Sequence, residues 1–419
     1  MSTSTATASV VPLPAADEGS WRYRGWKVAL ASSAGVFCWS LHPYSFAVFL
    51  KPLSEEFGWT RQMVAGAFGL SALMAATLST PAGLLMDRVG ARTVLIPALA
   101  AAGLLFLLRG FVTAPFWHLA LLFALSGVCG QGANPVAHAR LVSTWFDGRR
   151  GRALGVVMAG VAAGAMIHPV VGQALIDGVG WRAAQVALGV LMLMGVPVVT
   201  AFVRARPDPR RAGGIPPAGM RAREAVQTPA FVVLAAVLLC DALATGSLTV
   251  HLPALLTDRG VDAGSAALTL SAMGAAALLG RLGTGSLLDR FFAPYISIAL
   301  LGLAAAGLLV LATAESRAAG LLGAACVGLG MGGESDVTPY LLTRYFGLRA
   351  FATIYSVMFT ITAVAWAVGP TLMGRAFDAD GTYAPHLVRL AALLAGAALL
   401  MLSLPRYPVS GQERPHGHA

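Results

Sequence analysis

Charge is what this sequence has least of: Asp, Glu, Lys and Arg make up only 11% of it, against roughly 25% in a soluble domain. Helices on the surface of a soluble protein need a polar face. The long apolar stretches here have none, so a large soluble helical protein is excluded. Cysteine is scarce as well. Cys38, Cys129, Cys240 and Cys326 all fall in apolar stretches, at spacings that suit neither a metal site nor a redox pair, and they read as packing residues. No nucleophile with its base, no metal-ligand cluster and no phosphate-binding loop occurs. No enzyme, metal or cofactor is therefore indicated, and a nucleotide-driven pump is argued against. Residues 1–22 lack the continuous apolar core of a cleaved leader and are expected to form a disordered tail.

What remains is apolar: 57% of residues are hydrophobic and the mean hydropathy is +0.73. Twelve mostly apolar stretches begin near Trp26, Gln62, Thr93, Trp117, Gly151, Ala183, Pro229, Gly264, Pro294, Ala318, Phe351 and Pro385. About 20 residues at 1.5 Å each cross a hydrocarbon core of roughly 30 Å. The expected fold is an all-α membrane protein of twelve transmembrane helices.

A net charge of +10 invites a nucleic-acid reading, and the positions of the basic residues oppose it. Of the 29 Lys and Arg, 20 fall in the termini and even-numbered loops, 8 in the odd-numbered loops, and Arg281 alone lies inside a span. This bias places both termini in the cytoplasm. No basic stripe interleaved with aromatics suggests nucleic acid; the partner of this surface is the lipid bilayer. A multi-pass protein of the cytoplasmic (inner) membrane, acting as a monomer, is expected.

Gly83-Leu84-Leu85-Met86-Asp87-Arg88 recurs as Gly285-Ser286-Leu287-Leu288-Asp289-Arg290, each time at the end of an apolar stretch. Val48-Phe49-Leu50-Lys51-Pro52-Leu53 and Val250-His251-Leu252-Pro253-Ala254-Leu255 share nearly the same offset, as do Trp145-Phe146 and Tyr345-Phe346. Several weak matches in one register mark an internal duplication. The one long connection is rich in Arg, Pro and Gly, as a flexible linker is. The expected organisation is a tail at 1–22, a six-helix half at 23–204, a cytoplasmic linker at 205–228, a second six-helix half at 229–405 and a tail at 406–419. Parallel halves of this kind usually hold substrate near the bilayer midplane, on their pseudo-two-fold axis.

Over nearly the whole chain these residues resemble the major facilitator superfamily. Gly83-Leu84-Leu85-Met86-Asp87-Arg88-Val89-Gly90-Ala91-Arg92 is similar to that superfamily's signature after its second helix; the second copy keeps Asp289-Arg290 and departs at Phe291-Phe292-Ala293. The resemblance implies a gating role for Asp87, Arg88, Arg92, Asp289 and Arg290. Within the superfamily, Trp145 to Gly160 is similar to the fifth-helix entry of the monocarboxylate-transporter branch, with Gly148 for a usual Lys and Arg152 for a usual Leu. The oxalate–formate antiporter branch is similar in carrying a substrate Arg in span 8. Tyr44 lies two residues before Phe46, where animal members of the branch have a substrate Lys, and Ala277 stands where they have an acid before the span-8 Arg.

An ionisable side chain at mid-span costs roughly 2.5–3.5 kcal/mol on insertion scales, so those that remain need a reason. Arg281 offers a charged planar fork that matches a carboxylate. Its alternative is a permanent ion pair with Asp241, Glu334 or Asp336. In span 10, Gly328 to Tyr340 holds both acids among glycines and Pro339, which suggests an irregular helix beside a wet cavity. Gly328, Gly330 and Gly333 also satisfy a dinucleotide-binding pattern, but no strand precedes them and the match is accidental. Glu334 and Asp336 lie about 200° apart on a regular helix. Asp336 shares a face with Tyr340 and ranks first among the three as proton carrier. The resemblance implies that spans 1, 4, 7 and 10 line the cavity, making Ser40, His42, Tyr44, Gln131, Asn134, His138, Asp241, His251 and Tyr340 candidates, each with the alternative of a bond between helices. His168 is expected to pack or satisfy a kink. Gly155, Gly160, Gly164, Gly274 and Gly280 are expected to let helices approach closely.

The sequence thus points to a secondary active transporter of a small organic anion, a monocarboxylate coupled to a proton. The alternative is a proton-coupled exporter of amphipathic or cationic compounds on the same fold. A sensor on a transport fold would need an output domain, for which linker and tails are short.

Overall fold

The computed structural model describes residues 18, 20, 22–146, 149–204, 219–288, 290–347 and 349–407. They form helices α1 (Arg24–Phe57), α2 (Arg61–Val89), α3 (Ala91–Leu108), α4 (Phe116–Gly130), α5 (Pro135–Ser143), α6 (Arg150–Phe202), α7 (Ala222–Ala225), α8 (Pro229–Thr257), α9 (Ala263–Leu288), α10 (Ala293–Thr313), α11 (Arg317–Phe346), α12 (Phe351–Asp380) and α13 (Ala384–Met401). Helix starts carry the expected chemistry, because the first amides of a helix lack intrahelical acceptors. Thr60, Thr228 and Ser316 accept the amides of Met63, Phe231 and Ala319, and Pro229 fills the first turn of α8, where its missing N–H costs nothing. α1 ends on Gly58 and α12 on Gly381 in the left-handed region, at φ 66° and 67°. Gly180, at φ 78°, divides the 53-residue α6 into two rods.

Among the described residues nine segments are long and apolar enough to cross a membrane; α6 is one of them. Its division at Gly180, with α1 and α11 added, is compatible with twelve spans. α1 and α11 are not among the nine. The fourth span is α4 and α5 in series, interrupted by a 3-10 turn at Gln131–Ala133.

Two hydrophobic cores form, one mostly from residues before the linker and one mostly from residues after it. The exceptions mark where the halves touch. Ala47 packs into the second core, and Val250, Ala254 and Ala267 into the first. The halves meet through α1 and α8, α2 and α12, and α6 and α9. Close backbone approach between the halves occurs at one end, where a Cβ on Gly69 would overlap the Ala367 carbonyl and one on Gly374 would reach the backbone of Arg61 and Gln62, and midway, where one on Gly274 would lie 3.1 Å from the Ala165 carbonyl. At the other end a Cβ on Gly83, Gly155 or Gly285 meets nothing within 4 Å. The bundle is closed at the Arg61 end and open at the Arg88 end.

Two local expectations need correction. Span 10 is not irregular: α11 runs unbroken from Arg317 to Phe346. Its glycines seat neighbouring helices instead, since added Cβ atoms on Gly328 and Gly332 would collide with the carbonyls of Met273 and Ala277, and one on Gly330 would lie 2.7 Å from that of Leu300. The irregular helix is span 4. Asn134 accepts the amide of Ala137 at 3.0 Å and donates to Gln131 Oε1 at 3.1 Å, so both side chains are spent on mending the break. Gly160, Gly164, Gly274 and Gly280 do sit against Ser33, Ser40, Ala165 and Leu329 of neighbouring helices, whereas Gly155 faces a cavity.

Candidate functional site

A cavity of about 560 Å³ lies between the halves, lined by residues of α1, α6, α8, α9, α11 and α12. On α9, Leu270, Met273, Gly274, Ala277, Leu278, Arg281 and Leu282 line it, and on α12 so do Tyr355, Met358, Phe359, Thr362 and Trp366. Both sets recur at the three- and four-residue spacing that places side chains on one helical face. Tyr44 is the contribution of α1, Asp241 with Thr245 and Thr249 that of α8, and Met331, Gly332, Ser335 and Thr338 that of α11.

Arg281 is the cation of this wall. Its Nη2 donates to Ser335 Oγ at 2.8 Å and its Nε lies 3.3 Å from Asp336 Oδ1, with the Arg side chain 43% exposed. Arg281 thus has an ion pair with one of the three acids, yet much of its fork still faces the cavity. Tyr44 and Tyr355 lie within electrostatic reach of it.

The three acids part company because α11 is regular. Asp336 turns to Arg281. Glu334 turns the other way, is buried, and accepts from Ser297 Oγ of α10 at 2.8 Å; it is not on the cavity wall. Asp241 is on the wall, only 8% exposed, and its Oδ1 is buried with no hydrogen-bond partner among the described residues.

Most other candidates are drawn away from the cavity. His42 is bracketed by Ser71 Oγ at 2.9 Å and by Arg109, which donates to its Nδ1 at 2.8 Å; Arg109 in turn donates to Ser126 and lies 3.9 Å from the Phe123 ring centre. Because Arg can only donate, His42 Nδ1 must accept. His138 is fully buried against Gly35. Tyr340 packs on the second core beside Arg344. His168 bonds the Phe37 carbonyl at 2.9 Å and Ser40 Oγ at 3.1 Å, joining α6 to α1 as expected. The fourth span contributes nothing described to the wall; the first rod of α6, before Gly180, and α9 and α12 take its place. Of the gating set, Asp289 lies outside the described residues, as does the side chain of Asp87; Arg92 donates to the Thr200 carbonyl at 2.8 Å within the first half, and Arg88 and Arg290 are exposed.

A cluster not anticipated from sequence closes the Arg61 end. The Arg61 guanidinium, from the first half, grips the Asp258 carboxylate of the second with both terminal nitrogens, one of them at 2.9 Å. Lys51 adds a contact to Asp258 at 3.2 Å. Asp378 accepts the amides of Arg61 and Gln62 at 3.1 and 2.9 Å, capping α2 from α12. Arg61 also donates to Tyr383 Oη at 2.7 Å, and that hydroxyl contacts His251 Nδ1 at 3.0 Å. His251 Nε2 donates to the Pro370 carbonyl at 2.9 Å, so its Nδ1 accepts from Tyr383. His251 therefore belongs to this latch and not to the cavity.

A helical bundle whose two halves close around a central cavity, sealed at one end only, is the architecture of a membrane transporter. The Major Facilitator Superfamily model matches residues 28–370, and the chain belongs to that family. It is similar to "Monocarboxylate transporter 11" of Homo sapiens, 27% identical with 96% of this chain and 87% of that protein covered. It is similar also to "MFS transporter asaE" of Aspergillus flavus, at 26% identity with 77% and 72% covered, and to "Multidrug resistance protein MdtG" of Dickeya zeae, at 27% with 81% and 84% covered. Among solved structures, a bacterial homolog of the human lysosomal transporter Spinster, inward-facing and occupied, superposes with a TM-score of 0.71 at 17% identity, covering 92% of this chain and 96% of that chain. That likeness is one of fold.

Proposed function

We propose that this protein moves a small organic anion, a monocarboxylate, across the cytoplasmic membrane by alternating access coupled to protons. One observation carries the reading: the Arg281 fork opens on the central cavity with its pairing to Asp336 made through Nε. A guanidinium stays charged under all physiological conditions and offers parallel donors to a carboxylate, so an entering anion competes with Asp336 for it. Tyr44 and Tyr355 line the same cavity and on this reading add hydroxyl contacts. The name of the human monocarboxylate relative supports the class. The Arg-rich open end is the cytoplasmic one by charge bias, which makes this the inward-open state.

A second reading has its own observation. Met158, Met273, Met331, Met358, Phe359 and Trp366 make most of the wall apolar, and flexible thioethers adapt to varied apolar shapes. An exporter of amphipathic compounds would use this wall with the acids, and the likeness to a "Multidrug resistance protein" of Dickeya zeae supports that class.

A thermal-shift screen of the purified protein against lactate, pyruvate, benzoate, amino acids, sugars and cationic dyes separates the two. A ligand at 100 times its Kd adds roughly 2.7 kcal/mol. Stabilisation by carboxylates that is lost in Arg281→Ala supports the first reading, and stabilisation by cationic dyes alone replaces it with the second.

A further inference from the structure

Three carboxyls sit within the spans, and their surroundings differ in the respects that govern whether a group can load and release a proton. Such a group must reach water from the cavity, must not be tied to a fixed counter-charge, and must sit where dielectric screening is weak enough for a neighbouring charge to alter its protonation. Asp336 has a fixed partner in Arg281 at 3.3 Å, which ties it to a counter-charge. Glu334 is buried away from the cavity and already holds Ser297. Asp241 alone meets all three conditions: it lines the cavity, is 8% exposed, and its Oδ1 has no partner among the described residues. Neither of its oxygens forms an ion pair with a described cation.

We propose, on the reading that the substrate is an anion held by Arg281, that Asp241 of α8 is the residue that carries the coupled proton. From the helices packed around it, the titratable groups facing it are Tyr44 on α1, Arg281 on α9, Glu334 on α11 and Tyr355 on α12; α13 contributes none to the wall. Cys240 is its chain neighbour. Glu334 is close enough for the two acids to repel if both ionise.

The charge balance explains the coupling. When a carboxylate arrives, one proton from water forms an O–H bond on Asp241, so the anion's charge is offset and the cavity carries the same total as before. No bond in the substrate breaks. Both empty and doubly loaded forms can then change conformation, whereas an anion bound without its proton leaves an added uncompensated charge in a low-dielectric site. On release at the other face, the carboxylate leaves and the O–H bond gives its proton back to water.

The test uses purified full-length protein with lactate and benzoate as probes. Calorimetry in two buffers of different ionisation enthalpy counts protons taken up per anion bound: about one for wild type and for Asp336→Asn, and none for Asp241→Asn. In proteoliposomes, a gradient of one pH unit supports about tenfold accumulation at one proton per anion; Asp241→Asn should fall to no accumulation while exchanging labelled for unlabelled probe across the membrane. Asp241→Glu should restore accumulation, which a purely structural role would not require. Proton uptake retained in Asp241→Asn, or lost in Asp336→Asn, overturns the proposal. An infrared pH titration of the empty protein adds a readout that needs no substrate: one component of the protonated-carboxyl carbonyl stretch should be lost in Asp241→Asn and persist in Asp336→Asn. If neither probe binds wild type, the anion reading fails by itself, and the infrared titration still decides whether Asp241 is the titrating acid. If a cationic dye binds and Asp241→Asn abolishes that binding, Asp241 is a substrate counter-ion and the proposal is wrong.

Discussion

Arg61 and Asp258 lie 197 residues apart in sequence and meet fork to fork across the two halves of the protein. Phe377 lies under the guanidinium, 3.7 Å from its central carbon, and Lys51, Tyr383 and Asp378 complete the cluster. A charge-assisted, two-bond contact between rigid helix ends is the kind of interaction that can hold one conformation and be broken as a unit.

The latch should therefore bias the conformational equilibrium. Asp258→Asn removes the charge and leaves Arg61 partly unsatisfied, at a cost of about 1–3 kcal/mol, or a shift of about 5- to 150-fold toward the state open at the Arg61 end. In a variant with its native cysteines replaced, a cysteine at position 44 should then react several-fold faster with an impermeant thiol reagent added from that end. Unchanged reactivity would show that the glycine contacts alone hold the end shut.

The pH dependence of the latch has a definite sign. Partial burial of Asp258 opposes ionisation, but hydrogen bonds from Arg61 and Lys51 outweigh it and hold the carboxyl below the usual carboxylate range. A lowered carboxylate contributes fully above its ordinary value, near 4, and loses that contribution only as pH falls through the lower folded value. Labelling from the Arg61 end should stay constant from about pH 8 to about pH 5 and rise only in stronger acid. A rise near neutrality would assign the closure to another group.

Gly69 should be intolerant of a side chain. Its missing Cβ leaves room for the Ala367 carbonyl, whereas Gly155 faces open space. Gly69→Ala should favour the state open at the Arg61 end and slow transport at least several-fold, with Gly155→Ala having the smaller effect on that end. Double electron–electron resonance distances between spin labels on α2 and α12 would report the change directly.

Arg281→Lys keeps the charge and loses the fork. Carboxylate binding should weaken by roughly 10- to 100-fold, on the order of 1.4–2.7 kcal/mol, with insertion and folding intact. An unchanged affinity would move Arg281 out of the site and favour the exporter reading.

Charge bias further predicts that Met1, Ala419 and the linker at 205–228 face the cytoplasm. Reporter fusions or cysteine labelling that found the linker outside would reverse the sidedness assigned to the cavity.

Much of the architecture follows from local pattern. Helix starts near Trp26, Gln62, Pro229 and Phe351 agree with Arg24, Arg61, Pro229 and Phe351 within two residues, because span length and capping chemistry are properties of short segments. That an unpaired Arg281 needed a partner was equally legible, since the cost of burying a charge does not depend on where the chain goes. The α9 and α12 faces were present as spacing but unreadable as cavity, because in a membrane every helix face is apolar and periodicity no longer separates inside from outside.

Tertiary structure alone decided the rest. Glycines in span 10 could loosen a helix or let neighbours approach, and only the positions of Met273 and Ala277 select the second outcome. With α11 straight, Glu334 and Asp336 are sent to opposite sides, and Asp241 becomes the acid left on the cavity without a partner. The latch is decided in the same way: Arg61, Asp258 and Tyr383 come from the ends of three helices whose sequences carry no shared signal. Hydrophobicity and span length act over a few turns of helix, so sequence determines them; which charges meet depends on how the two halves dock, and that is set by contacts hundreds of residues apart.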